Sequence, residues 1–359
     1  MHGSHSLPAS DVFMFTEALS ARRIMLDGTV HVQPAVDPEA TNLTVSYTIA
    51  SPSESALSLS FSDALAELVS HLNAPSATEA NILSTHRYIQ RRICATAHIV
   101  ITLPRSVKEL TLATTSLALS LADGVVLETL GATTSHGGIH LSRDAQITNC
   151  TTARTSFGSI SGTYSLGSHL CLETSAGNIN AAIRPQDTPF SPAALTARSD
   201  SGSIHLSVAP GTVPVRNYTA DVSTAAGSIT GDILLGSRVD ISTVAGAIRV
   251  ALVPVGGFGA EVSTATKFGS TVVSFQHNLR GKSVCGSHET HTGAVAVRYP
   301  GDWEGRVLGT SRLGVVHVRG EGVVVERKER DVVEGYRGDP DAGAIQVASS
   351  VGSVEILVE

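Results

Sequence analysis

The segment Val222–Ile241, VSTAAGSITGDILLGSRVDI, decides the architecture of this chain. Apolar residues alternate with small polar ones around Gly227-Ser228-Ile229, Gly231-Asp232-Ile233 and Val239-Asp240-Ile241. Period-2 alternation in short pieces, punctuated by Gly and Ser, reads as strands with one buried face. The segment opens on a phrase: apolar, any, Ser/Thr, any, any, Gly, any, Ile/Val. The same phrase recurs at Ala132–Ile139, Ala153–Ile160, Leu172–Ile179, Ala197–Ile204, Ile241–Ile248 and Val347–Val354. A repeated strand–Gly–strand unit reads as a chain wound into stacked coils. Glycine at each corner is expected to take a positive φ, which a Cβ would penalise by about 1–2 kcal/mol.

Working outward, the glycines Gly137, Gly158, Gly177, Gly202, Gly227 and Gly246 follow one another at intervals of 19 to 25 residues. That variation argues against a strict hexapeptide helix. It favours an all-β, three-faced β-solenoid with loops of unequal length at one corner. A β-sandwich would have no reason to repeat one corner phrase so often. About ten short coils are expected between Val107 and Glu359. Some units depart from the phrase. Leu117 takes the glycine slot after Leu112 and Thr114. Lys267 takes it near Val262–Ser270, with Phe268-Gly269 behind it. His288 replaces the apolar residue of His288–Val295, and Gly338–Ile345 keeps only Gly343 and Ile345.

The chain divides at the start of the repeats, into an N-terminal cap over 1–96 and a β-solenoid domain over 97–359. In the cap, Val30–Gln33 and Leu43–Ile49 read as strands. Asp63–Asn73 reads as a short helix capped by Ser62. Ala74–Arg92 reads as a polar, irregular excursion. Ala97–Leu103, closed by Pro104, reads as the strand that leads into the first coil. Later in the chain, Val323–Val333 (VVVERKERDVV) reads as a hairpin with a charged tip. It is expected to fold over Val354–Val358, the strand that would close the stack.

Composition narrows the function. The net charge of −7 offers no basic footprint for nucleic acid. No apolar run is long enough to span a bilayer. The N-terminal sequence lacks the basic and apolar regions of a secretory signal. The expectation is a cytosolic protein, or a secreted one whose targeting segment is missing. Cys94, Cys150, Cys171 and Cys285 show no C-x-x-C spacing, which excludes the familiar zinc and redox motifs. Cys150 and Cys171 stand one coil apart, and they read as small buried apolar groups rather than a disulfide. Sequons at Asn42, Asn149 and Asn217 support secretion only faintly.

The phrase T-x-A-G-x-I-x-G-x-I, together with the entry strand Ile101–Thr114 (ITLPRSVKELTLAT), resembles the adhesin-like β-solenoid domain family of bacteria and fungi. The resemblance covers residues 97–359. It implies a β-helix-like fold and an adhesin-like surface, and it implies no reaction, since that family has no agreed catalytic motif.

Asp221, Asp240 and Glu261 each precede the apolar residue that opens a repeat. Stacked coils would hold them about 4.8 Å apart, either solvated beside Arg216 and Arg238 or around a hard cation such as calcium. The Ser/Thr slot gives a second column, Thr134, Thr155, Thr174, Ser199, Thr224 and Thr243. It reads as hydroxyls satisfying backbone groups beside the glycines, rather than an ice-binding array. His136, His140, His169, His205 and His277 show no ligand spacing, and His288-x-x-His291 falls on an expected loop. No nucleophile elbow or phosphate loop is present. No catalytic, cofactor or metal residue is therefore assigned. The reading is a non-enzymatic binding or structural surface with a cell-surface or carbohydrate partner. The alternative is a carbohydrate-active β-helix lyase or hydrolase.

Overall fold

The computed structural model describes residues 2–17, 24–50, 79–82, 93–188, 192–257, 259–279 and 281–359. The helix expected over Asp63–Asn73 lies outside these residues. Among the described residues the chain is all-β, with no helix, and its strands form long, mostly parallel sheets. The chain divides into two compact units, Met1–Leu166 with Leu170–Gly177, and Gly167–His169 with Asn178–Glu359.

The first unit has two sheets. One runs β1 (His2–Pro8), β4 (Asn42–Ala50), β6 (Ile93–Leu103), β3 (Ile24–Pro34), β8 (Ala118–Leu121), β10 (Ile139–Leu141), β12 (Ile160–Leu166). The other runs β5 (Glu79–Ile82), β2 (Val12–Glu17), β7 (Glu109–Thr114), β9 (Val126–Thr134), β11 (Gln146–Thr155), β13 (His169–Ala176). The strands expected at Val30–Gln33 and Leu43–Ile49 are parts of β3 and β4. One expectation fails: Glu79–Ile82 is a strand inside the stretch read as irregular. Ala97–Leu103 lies in β6, which leads on to β7, and β3 pairs in parallel with both β6 and β8. The antiparallel strands β1 and β4 continue the sheet beyond β6.

The second unit repeats the arrangement. One sheet runs β14 (Ile179–Pro185), β16 (Ile204–Val208), β18 (Ile229–Leu235), β20 (Ile248–Pro254), β22 (Thr271–Phe275), β24 (Val295–Tyr299), β30 (Val354–Val358), β26 (Val316–Gly320). The other runs β15 (Ala193–Ser201), β17 (Tyr218–Ala226), β19 (Arg238–Ala245), β21 (Ala260–Phe268), β23 (Val284–Thr292), β29 (Ala344–Val351), β25 (Gly305–Leu313), β28 (Val332–Arg337), β27 (Val323–Lys328). From β14 to β26 successive strands alternate between the two sheets, so these strands occupy two faces rather than the three expected. Ile229–Leu235 is one strand, kinked at Gly231 (φ 115°), where the alternation had suggested two. The core is the row of inward residues, with Val222, Ile229, Ile241 and Ile248 all at or below 2% exposure.

The positive φ expected of the corner glycines is found at Gly246 (158°), Gly269 (155°), Gly293 (143°) and Gly352 (148°), but it is not what all of them share. Gly227 is not in the left-handed region. A Cβ there would overlap the carbonyl of Gly202, the equivalent residue of the neighbouring turn; Gly246 stands in the same relation to Gly227. The glycines therefore form a ladder in which backbones touch. The Thr column locks this ladder from inside. Thr224 Oγ1 donates to the Gly202 carbonyl (2.9 Å), Thr243 Oγ1 to Gly227 (3.1 Å) and Ser349 Oγ to Gly293 (3.0 Å). In the first unit Thr155 and Thr174 do the same toward Gly137 and Gly158. These hydroxyls are buried and spent on backbone, so they form no ice-binding face.

Chain order breaks at β29 and β30. They lie between β23–β24 and β25–β26, although they follow β25–β26 in sequence. Val354–Val358 is therefore an interior strand and not the end of the stack. The hairpin β27–β28 exists, but it pairs antiparallel with β25 instead of covering β30. The segment 300–304 between β24 and β25 is anchored by buried Trp303, whose Nε1 donates to the Val284 carbonyl at 3.0 Å. Gly338–Ile345 is a connection into β29, not a repeat unit. The unit missed by sequence reading is Gly309–Val316, which keeps Ser311, Gly314 and Val316 but puts glycine in the apolar slot. Similarly, Lys267 is not at a corner. Gly269 stacks on Gly246, and the frame is Thr266-x-x-Gly269.

Candidate binding groove

Strands show alternate residues to opposite faces. On β19, β21, β23, β29 and β25 the outward residues fall into register rows. One row reads Ser242, Ala265, Glu289, Ala348, Thr310. Between the level rows through Thr243 and Ala245 stand Val244, Lys267, His291, Ser350 and Arg312, which line the same face. Small side chains dominate the first row, so the surface is low there. Asp331 and Val332 of the hairpin stand at one end, where Val332 pairs with Thr310. The result is a groove of about 770 Å³. At its edge Phe268, 58% exposed, meets the ring of His291 edge-on, with centroids 6.5 Å apart.

Sequence reading did not find this groove. Its residues are scattered along the chain from Thr224 to Ser350, and only the pairing register collects them. The one available signal was the small-residue alternation on the outward side of each repeat.

The acidic column forms only in part. Asp221 is level with Asp240, but Glu261 pairs with Arg238, so it stands two residues off the column. Asp221 meets Arg198 at 3.3 Å and Asp240 meets Arg238 at 2.6 Å. These pairs are solvent-exposed and add little stability. The hydrogen bond and charge of Asp240 hold the Arg238 guanidinium above its ordinary pKa. Arg216, expected beside this column, is instead buried, donating to the Gln186 carbonyl and to Thr188 Oγ1. Among the described residues no three His, Cys, Asp or Glu gather to hold a metal ion.

His288 and His291 lie on β23, not on a loop, and face opposite ways. His291 lines the groove. His288 is fully buried, with Nδ1 at 2.9 Å from Thr264 Oγ1 and Nε2 at 3.0 Å from the Tyr299 hydroxyl. The two cannot chelate one ion. Burial pushes the His288 pKa down to about 3, so it is neutral. Gly286 leaves room for the Tyr299 hydroxyl, which a Cβ would overlap. This cluster is a satisfied polar island inside the core. His140 and His205 each meet a hydroxyl of the neighbouring turn, Ser161 and Thr230. Lys282 is buried as well, its Nζ donating to the carbonyls of Leu235 and Val255. Cys150, Cys171 and Cys285 are free thiols. Cys171 lies beside Arg154, and burial raises its pKa.

No helix among the described residues is long and apolar enough to cross a membrane. No protein-family model matches the chain. No curated protein matches it. Among solved structures, that of a "putative cell adhesion protein" from Clostridium sporogenes aligns over 100% of both chains at 8% identity, with a TM-score of 0.16. At that score the likeness carries no argument about fold or role.

Proposed function

We propose that this chain is a non-enzymatic, adhesin-like β-solenoid, and that the groove across β19–β25 is its binding surface. The solenoid reading is supported by the alternation of strands between facing sheets and by the glycine ladder that stacks one turn on the next. The adhesin-like role follows the family resemblance of the repeat phrase. The observation that carries the binding reading over an enzyme is the placement of the groove carboxylates. Glu289 and the residue beside Asp331 are three strand steps apart, about 14 Å at 4.8 Å per step. Paired glycosidase carboxylates stand about 5–9.5 Å apart. The groove is also open and shallow-floored, which suits adhesion to a chain more than enclosure of a reacting group.

The test uses polysaccharide-coated beads and the intact protein, with Ser350→Trp filling the groove. Retention of the wild type, loss of retention in Ser350→Trp, and no new reducing ends in the polysaccharide are expected. Equal retention of both proteins would remove the groove from the binding surface, and chain cleavage would overturn the non-enzymatic reading.

A further inference from the structure

The cations of this face are unevenly partnered. Arg198 pairs with Asp221, Arg238 with Asp240, and Arg306 approaches Asp341 at 4.0 Å. Lys267 and Arg312, the two cations in the groove, have neither an ion pair nor a hydrogen bond among the described residues. They share one outward row with His291 and Ser350, and that row contains no acid. Asp331 stands at the end of the groove, but its charge acts on Arg327 of the hairpin. Glu289, in the parallel row, is the opposing charge inside the groove.

Resting on the groove reading above, we infer that its ligand is a linear anionic glycan, carrying carboxylate or sulfate groups, laid across the strands along the row Lys267–His291–Ser350–Arg312. Lys267 and Arg312 are three strand steps apart, about 14 Å. One small anion cannot touch both, whereas a chain with repeated charges meets each in turn. An acidic peptide is the less fitting occupant. The groove lies over strands paired on both sides, so it offers no free main-chain groups for strand addition. Its floor of Ser, Ala and Thr also lacks pockets for apolar side chains. Glu289 repels the ligand from the neighbouring row and thereby fixes its path. Complementary charge of this kind sets orientation and specificity and weakens with added salt.

The experiment measures binding of the intact protein to four probes: oligogalacturonate, heparin oligosaccharide, neutral dextran oligosaccharide and polyglutamate. Binding to either anionic glycan is expected, and it weakens as salt is raised. Lys267→Ala and Arg312→Ala should each weaken it about threefold to fivefold, the scale of an exposed charge pair. Glu289→Gln should tighten it about twofold, a sign that simple damage to the fold would not give. Lys328→Ala, a control cation outside the groove, should leave it unchanged. Binding of dextran as tight as that of the acidic glycans, abolished by Ser350→Trp, would overturn the anionic assignment and leave the groove reading intact. Polyglutamate binding as tight as that of the glycans would overturn the glycan assignment. Retention of no probe and no polysaccharide would overturn both readings together.

Discussion

Gly227→Ala tests the glycine ladder directly. The new Cβ would overlap the Gly202 carbonyl, and Ser203 N would lie 3.0 Å away. Both neighbours are backbone, so no side chain can swing aside. The turns must separate locally. The bonds that hold them together there are Gly202 N to Ala226 O (2.9 Å), Ile204 N to Ser228 O (2.9 Å), Thr224 Oγ1 to Gly202 O (2.9 Å) and Ser228 N to Ser203 Oγ (3.3 Å). Each contributes about 1 kcal/mol net. Overpacking alone costs about 1–3 kcal/mol. Loss of two or three of these bonds gives about 2–4 kcal/mol of destabilisation. Urea unfolding of wild type and variant, fitted with a shared m-value, measures it. Ser228→Ala is the internal comparison. Ser228 Oγ accepts only a long bond from Ala247 N–H (3.3 Å), so about 0.5–1 kcal/mol is expected. If Gly227→Ala proved no more costly than Ser228→Ala, the argument that backbone contact dictates glycine would be wrong.

Three further outcomes are expected. His288 is depressed to about 3 in the folded chain against about 6.5 unfolded, so the unfolded state binds the extra proton between these values. Stability is then full above pH 6.5 and falls toward pH 3, by up to about 1.4 kcal/mol per unit; a pH series of urea midpoints in which His288→Leu keeps the same acid slope would refute this. Deleting the hairpin strands β27 and β28 uncovers the edge of β25, and light scattering should show larger particles, because a bare edge pairs with other chains. An unchanged size distribution would reduce the hairpin to a surface loop. Millimolar calcium should leave the melting temperature unchanged, since Asp221 and Asp240 are satisfied by Arg198 and Arg238; a rise abolished by Asp240→Asn would restore the cation site.

The repeat itself was fully local and therefore legible. Thr224, Gly227 and Ile229 are set by what a strand end, a backbone contact and an inward position each demand, and every turn makes the same demands. The sequence by itself thus determined an all-β chain, the corner residues and a Thr column that satisfies backbone groups, but it expected three faces where the repeat strands occupy two sheets. It misjudged why glycine stands at Gly227, because φ is a property of one residue whereas contact with Gly202 belongs to the stack. It also could not order the turns. Val347–Val354 and Gly309–Val316 carry the same corner phrase, and either could stack on Gly293 as far as that phrase is concerned. Tertiary structure decided between them. Val347 sits level with His288, and Ile345 with Gly286, where Gly309 would have left the imidazole without a covering side chain. The same holds for the groove. Lys267, Glu289, Ser350 and Arg312 are far apart in the chain, and only pairing register, which follows from which turn packs on which, brings them to one face.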